Sequence, residues 1–271
     1  MHSGGAPVPD ADEREAAQGL QVKGLTVAFA GLTALEDVSV GVAPGEVVGV
    51  IGPNGAGKTT LLNAICGFVR PRTGTISYRR QSLGRHRAHH LARLGIARTL
   101  QGVGLWSGLT VLENVLAGAQ ASVRADLLSS ALGLWRSSRE EHRLRLRAQA
   151  LLSRLGLSGV AGRLPGQLPY GLQKRVVMAR ALIAEPSLLL LDEPASGLGE
   201  RDMGDLRGLL GELRQQMGVL LIEHHMDVVM SVCDRLVVLD FGRVIATGTP
   251  EVIRANPEVT TAYLGQEVAG A

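Results

Sequence analysis

Apolar residues alternate with polar ones from Gln21 to Phe29 and again from Ala34 to Val42, with Gly31 between the two runs. A period of two buries one row of side chains and exposes the other, so the pair reads as two half-buried strands of an antiparallel hairpin. Pro44-Gly45 then turns the chain into Val47 to Ile51, which is apolar throughout, as are Leu188 to Leu191, Val219 to Ile222 and Leu236 to Leu239. Strands without alternation are covered on both faces, as in parallel sheets packed between helices. Gly74 to Tyr78 reads as a further short strand and His89 to Leu94 as a helical stretch. From Val111 to Leu157 the period is helical, with Leu144, Leu146, Leu151, Leu152 and Leu155 set among charges; Gln173 to Ile183 is another helix, which Pro186 ends. Strands alternating with helices predict an α/β fold, a mostly parallel sheet flanked by helices with an antiparallel β subdomain and a helical subdomain over about residues 102–172. Residues 20–267 are expected to form one domain, after a polar leader (1–19) without fixed structure and before a short tail (268–271).

Composition narrows the setting. Of 271 residues 45% are hydrophobic and 20% charged, enough for a sizeable core, and no apolar run approaches the roughly 18 residues a membrane span needs. The leader lacks the basic start and apolar centre of a signal peptide. Cys66 and Cys233 stand apart with no CxxC spacing, which fits a reducing compartment and offers neither zinc site nor disulfide framework. The net charge of +3 is unevenly spread: Arg70, Arg72, Arg79, Arg80, Arg85, Arg87, Arg93 and Arg98 fall in a stretch with no Asp or Glu. Without interleaved aromatic residues this reads as a solvated face close to lipid headgroups, and no nucleic-acid partner is expected.

The chemistry begins where the strand ending at Ile51 meets Gly52-Pro53-Asn54-Gly55-Ala56-Gly57-Lys58-Thr59-Thr60 and an apolar helix follows. Successive N–H groups of a Gly-rich turn, with the positive end of the next helix, cradle phosphate oxygens that side chains at those positions would block. This is a P-loop for a nucleoside triphosphate. Lys58, one of only three lysines beside Lys23 and Lys174, supplies a point charge for the β- and γ-phosphates, and the Thr59 hydroxyl is placed for Mg²⁺. A second element is the strand that ends in Asp192-Glu193, two carboxylates at the carboxyl end of a buried strand, where open α/β sheets bind ligands. Asp192 has the hard oxygen that Mg²⁺ prefers, and Glu193 is placed to act as general base for water attacking the γ-phosphate.

With both elements in place, the chain from Leu20 to Gly265 resembles the ATPase subunits of ATP-binding-cassette (ABC) transporters. Arg98-Thr99-Leu100-Gln101 is similar to the family's Q-loop, Leu168-Pro169-Tyr170-Gly171-Leu172-Gln173 stands at its signature, Ala195-Ser196-Gly197-Leu198-Gly199 at its D-loop, and Leu221-Ile222-Glu223-His224-His225 at its histidine switch. The resemblance implies ATP and Mg²⁺ as the bound species. It implies that Phe29 stacks on adenine, that Gln101 touches Mg²⁺ and the attacking water, that His224 reaches the γ-phosphate, and that Pro169, Tyr170 and Gly171 face nucleotide. His225 replaces a commonly acidic residue and receives no catalytic role.

Two departures stand out. The signature's second position carries serine in the family, and Pro169 offers neither hydroxyl nor N–H. The D-loop usually ends in Asp, where this chain has Gly199. In the family two ATPase subunits sandwich two ATP molecules, each site pairing one P-loop with the other subunit's signature, so the Pro169 defect falls on the partner's nucleotide. A heterodimer with unequal sites is favoured over a homodimer.

The Arg98-Thr99 pair, Thr110 to Val115, the insert up to Leu157, Tyr170, Glu223-His224, Gly248 to Ile253 and Tyr263-Leu264-Gly265 are similar to ATPases of branched-chain amino-acid importers. Such a subunit works at the cytoplasmic face of the plasma membrane against transmembrane permease subunits, and only indirectly with a periplasmic or extracellular solute-binding protein. The same pattern occurs in ATPases for urea, short amides and other small solutes, and in the lipopolysaccharide exporter. A soluble cassette ATPase acting on nucleic acid or the ribosome is the alternative from another class; such proteins usually carry two cassettes or a coiled coil, and neither is present.

Overall fold

The computed structural model describes residues 18–84, 88–99, 102–120 and 136–269. Most of the leader, the stretch 85–87 of the arginine-rich segment, Leu100, Gln101 and the last two residues lie outside them.

The unbroken apolar runs become the middle of a six-stranded sheet. β3 (Val47–Ile51), β7 (Leu188–Asp192) and β8 (Gly218–Ile222) are buried at every position. With β6 (Ile96–Arg98), β9 (Arg235–Asp240) and β10 (Arg243–Gly248) they line up in the order β10-β9-β3-β8-β7-β6. All neighbours are parallel except β9 and β10, which form an antiparallel edge hairpin. The expected hairpin is β1 (Leu20–Phe29) against β2 (Leu32–Val42), and β4 (Thr73–Tyr78) and β5 (Gln81–Ser82) extend it into a four-stranded antiparallel sheet, β2-β1-β4-β5.

Alternation within the central strands divides the core. Val48, Val50, Leu188, Leu190, Leu220 and Ile222 point toward the antiparallel sheet and α1 (Lys58–Ile65), where they meet Leu20, Val22, Leu25, Leu61 and Leu62. Val47, Ile51, Leu189, Leu191, Val219 and Leu221 point the other way, onto α6 (Glu200–Leu213) and α7 (Met226–Val232) through Leu206, Leu210 and Val228. α2 (Ala88–Leu91) lies before β6. A third cluster packs α3 (Val111–Gln120), α4 (Arg136–Arg154) and α5 (Tyr170–Leu182) through Val111, Val115, Ala148, Leu152, Val176 and Ala179. Helix α5 belongs to both regions, since Met178 and Leu182 join the core under the sheet while Val176, Ala179 and the following Ile183 join the helical cluster. After α8 (Pro250–Arg254), α9 (Pro257–Ala269) continues the helical chain into the segment expected as a tail.

The basic stretch divides as well. Arg70, Arg72, Arg79, Arg80 and Arg93 are exposed, whereas Arg98 turns inward and pairs with Asp192.

Helices α3 and α5 approach so closely that a Cβ on Gly118 would run into the backbone carbonyl oxygen of Arg180. Replacing a helical Gly by Ala ordinarily stabilises by up to about 1 kcal/mol. Here overpacking outweighs that gain, and Gly118→Ala is expected to lower the unfolding free energy by about 1–3 kcal/mol in chemical denaturation. Gly208→Ala in α6, where a Cβ meets nothing within 4 Å, should be neutral or stabilising.

Candidate functional site

Adjacent parallel strands end at one edge of their sheet, so β3, β8 and β7 deliver the P-loop, Glu223-His224 and Asp192-Glu193 to the same place. The loop after β3 needs its glycines. Gly52, Gly55 and Gly57 have φ of 148°, 82° and 103°, and Gly57 is the N-cap of α1. A Cβ on Gly52 would strike the carbonyl oxygen of Leu239, and one on Gly57 would meet Leu35 Cδ2 at 2.6 Å and the Ala34 oxygen at 2.8 Å. Pro53 and Ala56 are buried behind the turn, Asn54, Gly55 and Thr59 are exposed, and Thr60 is half-buried on the first turn of α1. The Gly242 N–H donates to the Ala56 carbonyl at 3.1 Å, which ties the loop to the β9–β10 hairpin.

Lys58 is only 7% exposed, and its Nζ donates to the carbonyls of Gly52 at 2.5 Å and Pro53 at 2.8 Å. Burial lowers its pKa and the nearby Glu193 carboxylate opposes that shift. An ammonium held by neutral carbonyls at the mouth of a helix keeps a positive field directed at whatever anion enters the loop.

Asp192 is 2% exposed. Its N–H donates to Thr99 Oγ1 at 3.2 Å and its Oδ2 accepts from Arg98 Nη2 at 3.1 Å, while Oδ1 is buried with no hydrogen-bond partner among the described residues. Arg98 also donates through Nη1 to Asn63 Oδ1 on α1 at 2.9 Å, so one guanidinium joins Asp192 to the P-loop helix. A buried carboxylate oxygen without a donor is costly unless a cation or water meets it. Asp192 Oδ1 and the exposed Thr59 hydroxyl are hard oxygens of the kind that Mg²⁺ prefers.

Glu193 has φ of 48°. This left-handed turn ends the strand, its N–H donating to the Ile222 carbonyl at 2.9 Å while its own carbonyl accepts from Lys174 Nζ at 3.1 Å. Non-glycine residues held there cost on the order of 1 kcal/mol and tend to mark functional positions. His224 Nδ1 lies 3.8 Å from Glu193 Oε1 and 3.7 Å from Glu223 Oε2, close but outside hydrogen-bond distance.

Glu223 was legible in the sequence only as a subfamily mark, yet it is fully buried and its carboxylate accepts from the N–H groups of Ala195 (2.7 Å), His224 (2.8 Å) and His225 (3.0 Å) and pairs with His225 Nδ1 (2.8 Å). Burial alone would raise its pKa; the bonds from His225, Ala195 and His224 outweigh burial and hold it below the usual carboxylate range. Glu223, His224 and His225 bring ligand atoms within 4.8 Å of one another, but both carboxylate oxygens are already engaged, which sets this trio apart from the open oxygen of Asp192.

Phe29 ends β1 with 47% of its surface exposed, leaving ring area open to solvent. Pro169 is the N-cap of α5 and leaves the N–H groups of the first turn as its donors. Tyr170 is 41% exposed and lies across Gly197, where a Cβ would meet its ring at 2.8 Å; a Cβ on Gly171 would run into the Asp202 carboxylate. The signature segment is thus packed on the D-loop and the start of α6. Gln101 lies outside the described residues.

Residues 35–196 match the family described as "ABC transporter", and residues 243–269 match "Branched-chain amino acid ATP-binding cassette transporter". The chain is 42% identical to the high-affinity branched-chain amino acid transport ATP-binding protein LivG of Escherichia coli K12, covering 91% of this chain and 98% of that one. It is 40% identical, with the same coverage, to the corresponding Pseudomonas aeruginosa protein BraF. Among solved structures it is similar to a nucleotide-free ATP-binding cassette from an ABC transporter, with a TM-score of 0.79, 32% identity, and 90% of this chain and 98% of that one covered.

The lowered pKa of Glu223 fixes a sign. Stability from its ionised form is complete above the ordinary carboxylate pKa, about 4.3, and is lost as pH falls through the lowered folded value. Denaturant titrations at several pH values should show wild type ahead of Glu223→Gln at pH 7, with the gap narrowing from about pH 5 downward. A gap that widens on acidification contradicts the assignment.

Proposed function

We propose that this chain, which belongs to the ABC transporter family, is the ATP-hydrolysing subunit that powers an importer of branched-chain amino acids. The observation that carries the hydrolytic reading is the convergence of Lys58, Asp192, Glu193 and His224 at one sheet edge. Support for the solute class comes from relatives aligned over nine-tenths of the chain and from the C-terminal match over 243–269.

In this reading the N–H groups from Gly55 to Thr60 hold the phosphates, Lys58 moves from its own loop carbonyls to the β- and γ-phosphate oxygens, and Phe29 stacks on the adenine. Thr59, Asp192 and Gln101 would hold Mg²⁺, which would offset charge on the phosphates. Glu193 takes a proton from water as that water's oxygen bonds to the γ-phosphorus. The bond from phosphorus to the bridging oxygen breaks, and ADP and phosphate leave. His224 donates to the γ-phosphate. Arg98 keeps Asp192 from rotating, an orienting role that the sequence did not reveal.

An importer ATPase needs permease chains in the membrane, and among the described residues no helix is long and apolar enough to cross one. In our reading the subunit docks on those permease chains at the cytoplasmic face. Its second ATPase subunit is a different chain in our reading, because Pro169, Tyr170 and Gly171 present a weakened signature to the partner's nucleotide. The partner's own signature then completes the site built on Lys58.

Glu193→Gln should bind ATP as wild type does and lose steady-state hydrolysis, since the amide fits but accepts no proton. In cells that depend on this chain for leucine uptake the same variant should abolish uptake. Near-normal turnover would remove Glu193 from the mechanism, and uptake independent of this chain would remove the assigned solute.

A hydrogen bond to phosphate is worth about 1.5–3 kcal/mol, so a signature without the hydroxyl forfeits roughly one to two orders of magnitude. Pro169→Ser should raise the ATPase rate of the isolated chain several-fold and change the heterodimer much less. Equal rates for both proteins in both assemblies would mean that the N–H groups of α5 already suffice.

A further inference from the structure

Glu223 touches both loops that carry the chemistry, and its own oxygens are taken up by donors from those loops. Its Oε1 accepts from the N–H of Ala195, two residues beyond Glu193, at 2.7 Å. Its Oε2 serves the other loop, accepting from the N–H groups of His224 and His225 at 2.8 and 3.0 Å and pairing with His225 Nδ1 at 2.8 Å. One rigid carboxylate therefore spans the ends of β7 and β8, and the Glu193 N–H to Ile222 carbonyl bond lies beside it. The reacting side chains have no such tie of their own, because His224 Nδ1 and Glu193 Oε1 stand 3.8 Å apart.

We propose that Glu223 is a positioning residue whose buried carboxylate sets His224 against Glu193, so that the switch and the base address the same γ-phosphate. This rests on the roles given above to Glu193 and His224. A carboxylate in this fully buried position is tolerated only when its lone pairs are met, and here the donors that meet them come from the two loops to be aligned. His225 acquires a part as well. Where the family commonly carries an acid, this chain places a ring nitrogen that donates to Glu223; an acidic side chain would add repulsion instead.

Replacing Glu223 by Gln keeps the volume and turns one acceptor into an NH₂ group facing N–H donors, which breaks the tie to one loop. In the full chain, Glu223→Gln should lower kcat about 10- to 100-fold, the range expected for a lost hydrogen bond to a charged group. The dissociation constant for ATP, read with a fluorescent analogue, should stay within about 3-fold of wild type. On a His224→Ala background the same substitution should cost far less, because its effect runs through His224. A purely structural role would instead lower kcat and ATP affinity together, or equally with and without His224. Either result overturns the proposal, as does wild-type turnover in a folded Glu223→Gln.

A gentler pair keeps the test decisive if Glu223→Gln does not fold. His225→Ala should lower kcat about 3-fold and His225→Asn, which restores a donor near the Nδ1 position, should recover it; identical rates in the two contradict the account. Glu193→Gln run alongside separates the failures. Should it hydrolyse ATP normally, the reading of the site falls; should it be inactive while Glu223→Gln is normal, only the role of Glu223 falls.

Discussion

Three neighbouring strands, β3, β8 and β7, are buried at every position and run parallel, and the rest of the site depends on that constraint. Parallel strands covered on both faces have nowhere to place polar side chains except at their ends. Their carboxyl ends share one edge, so residues far apart in sequence, Lys58, Asp192 and Glu223, become neighbours without any long-range element designed to join them. The apolar alternation that splits the core into two faces is therefore also what fixes the geometry of the chemistry.

Placing charge at the rim of a dry sheet has consequences for each group. Lys58 is met by carbonyls of its own loop, and Glu223 by donors from two loops. Asp192 is met on one side by Arg98, while its other oxygen has no donor among the described residues. Buried charges persist when compensated, and the degree of compensation separates their roles. Fully satisfied Glu223 holds structure in place. Half-satisfied Asp192 and the redirectable ammonium of Lys58 retain capacity for a ligand.

Much of this was legible in the chain. The apolar runs mark the central strands because full burial removes the need for alternation, and Gly52 and Gly57 of the P-loop stand where a side chain would strike Leu239, Leu35 or Ala34. Strand β6 escaped notice because Ile96–Arg98 is too short to show a period. Arg98 looked like one member of a basic surface, since sequence carries no sign of which arginine turns inward to Asp192. Glu223 was hidden for a related reason: three of its donors are backbone N–H groups, which every residue possesses, and the partner of the His225 ring is Glu223 itself. Helix α5 is shared between the sheet core and the helical cluster, a double role that its periodicity alone does not show.

In the proposed function, Asp192 Oδ1, unpartnered among the described residues, and the loop-bound ammonium of Lys58 are two halves of one site for a metal–nucleotide pair. A crystal structure of the full chain with Mg²⁺ and a non-hydrolysable ATP analogue tests it most directly. The account predicts phosphates against the N–H groups of Gly55 to Thr60, Lys58 Nζ transferred from the carbonyls of Gly52 and Pro53 to a phosphate oxygen, and a water or metal partner on Asp192 Oδ1. A nucleotide bound elsewhere, with Lys58 and Asp192 keeping their present partners, would contradict it.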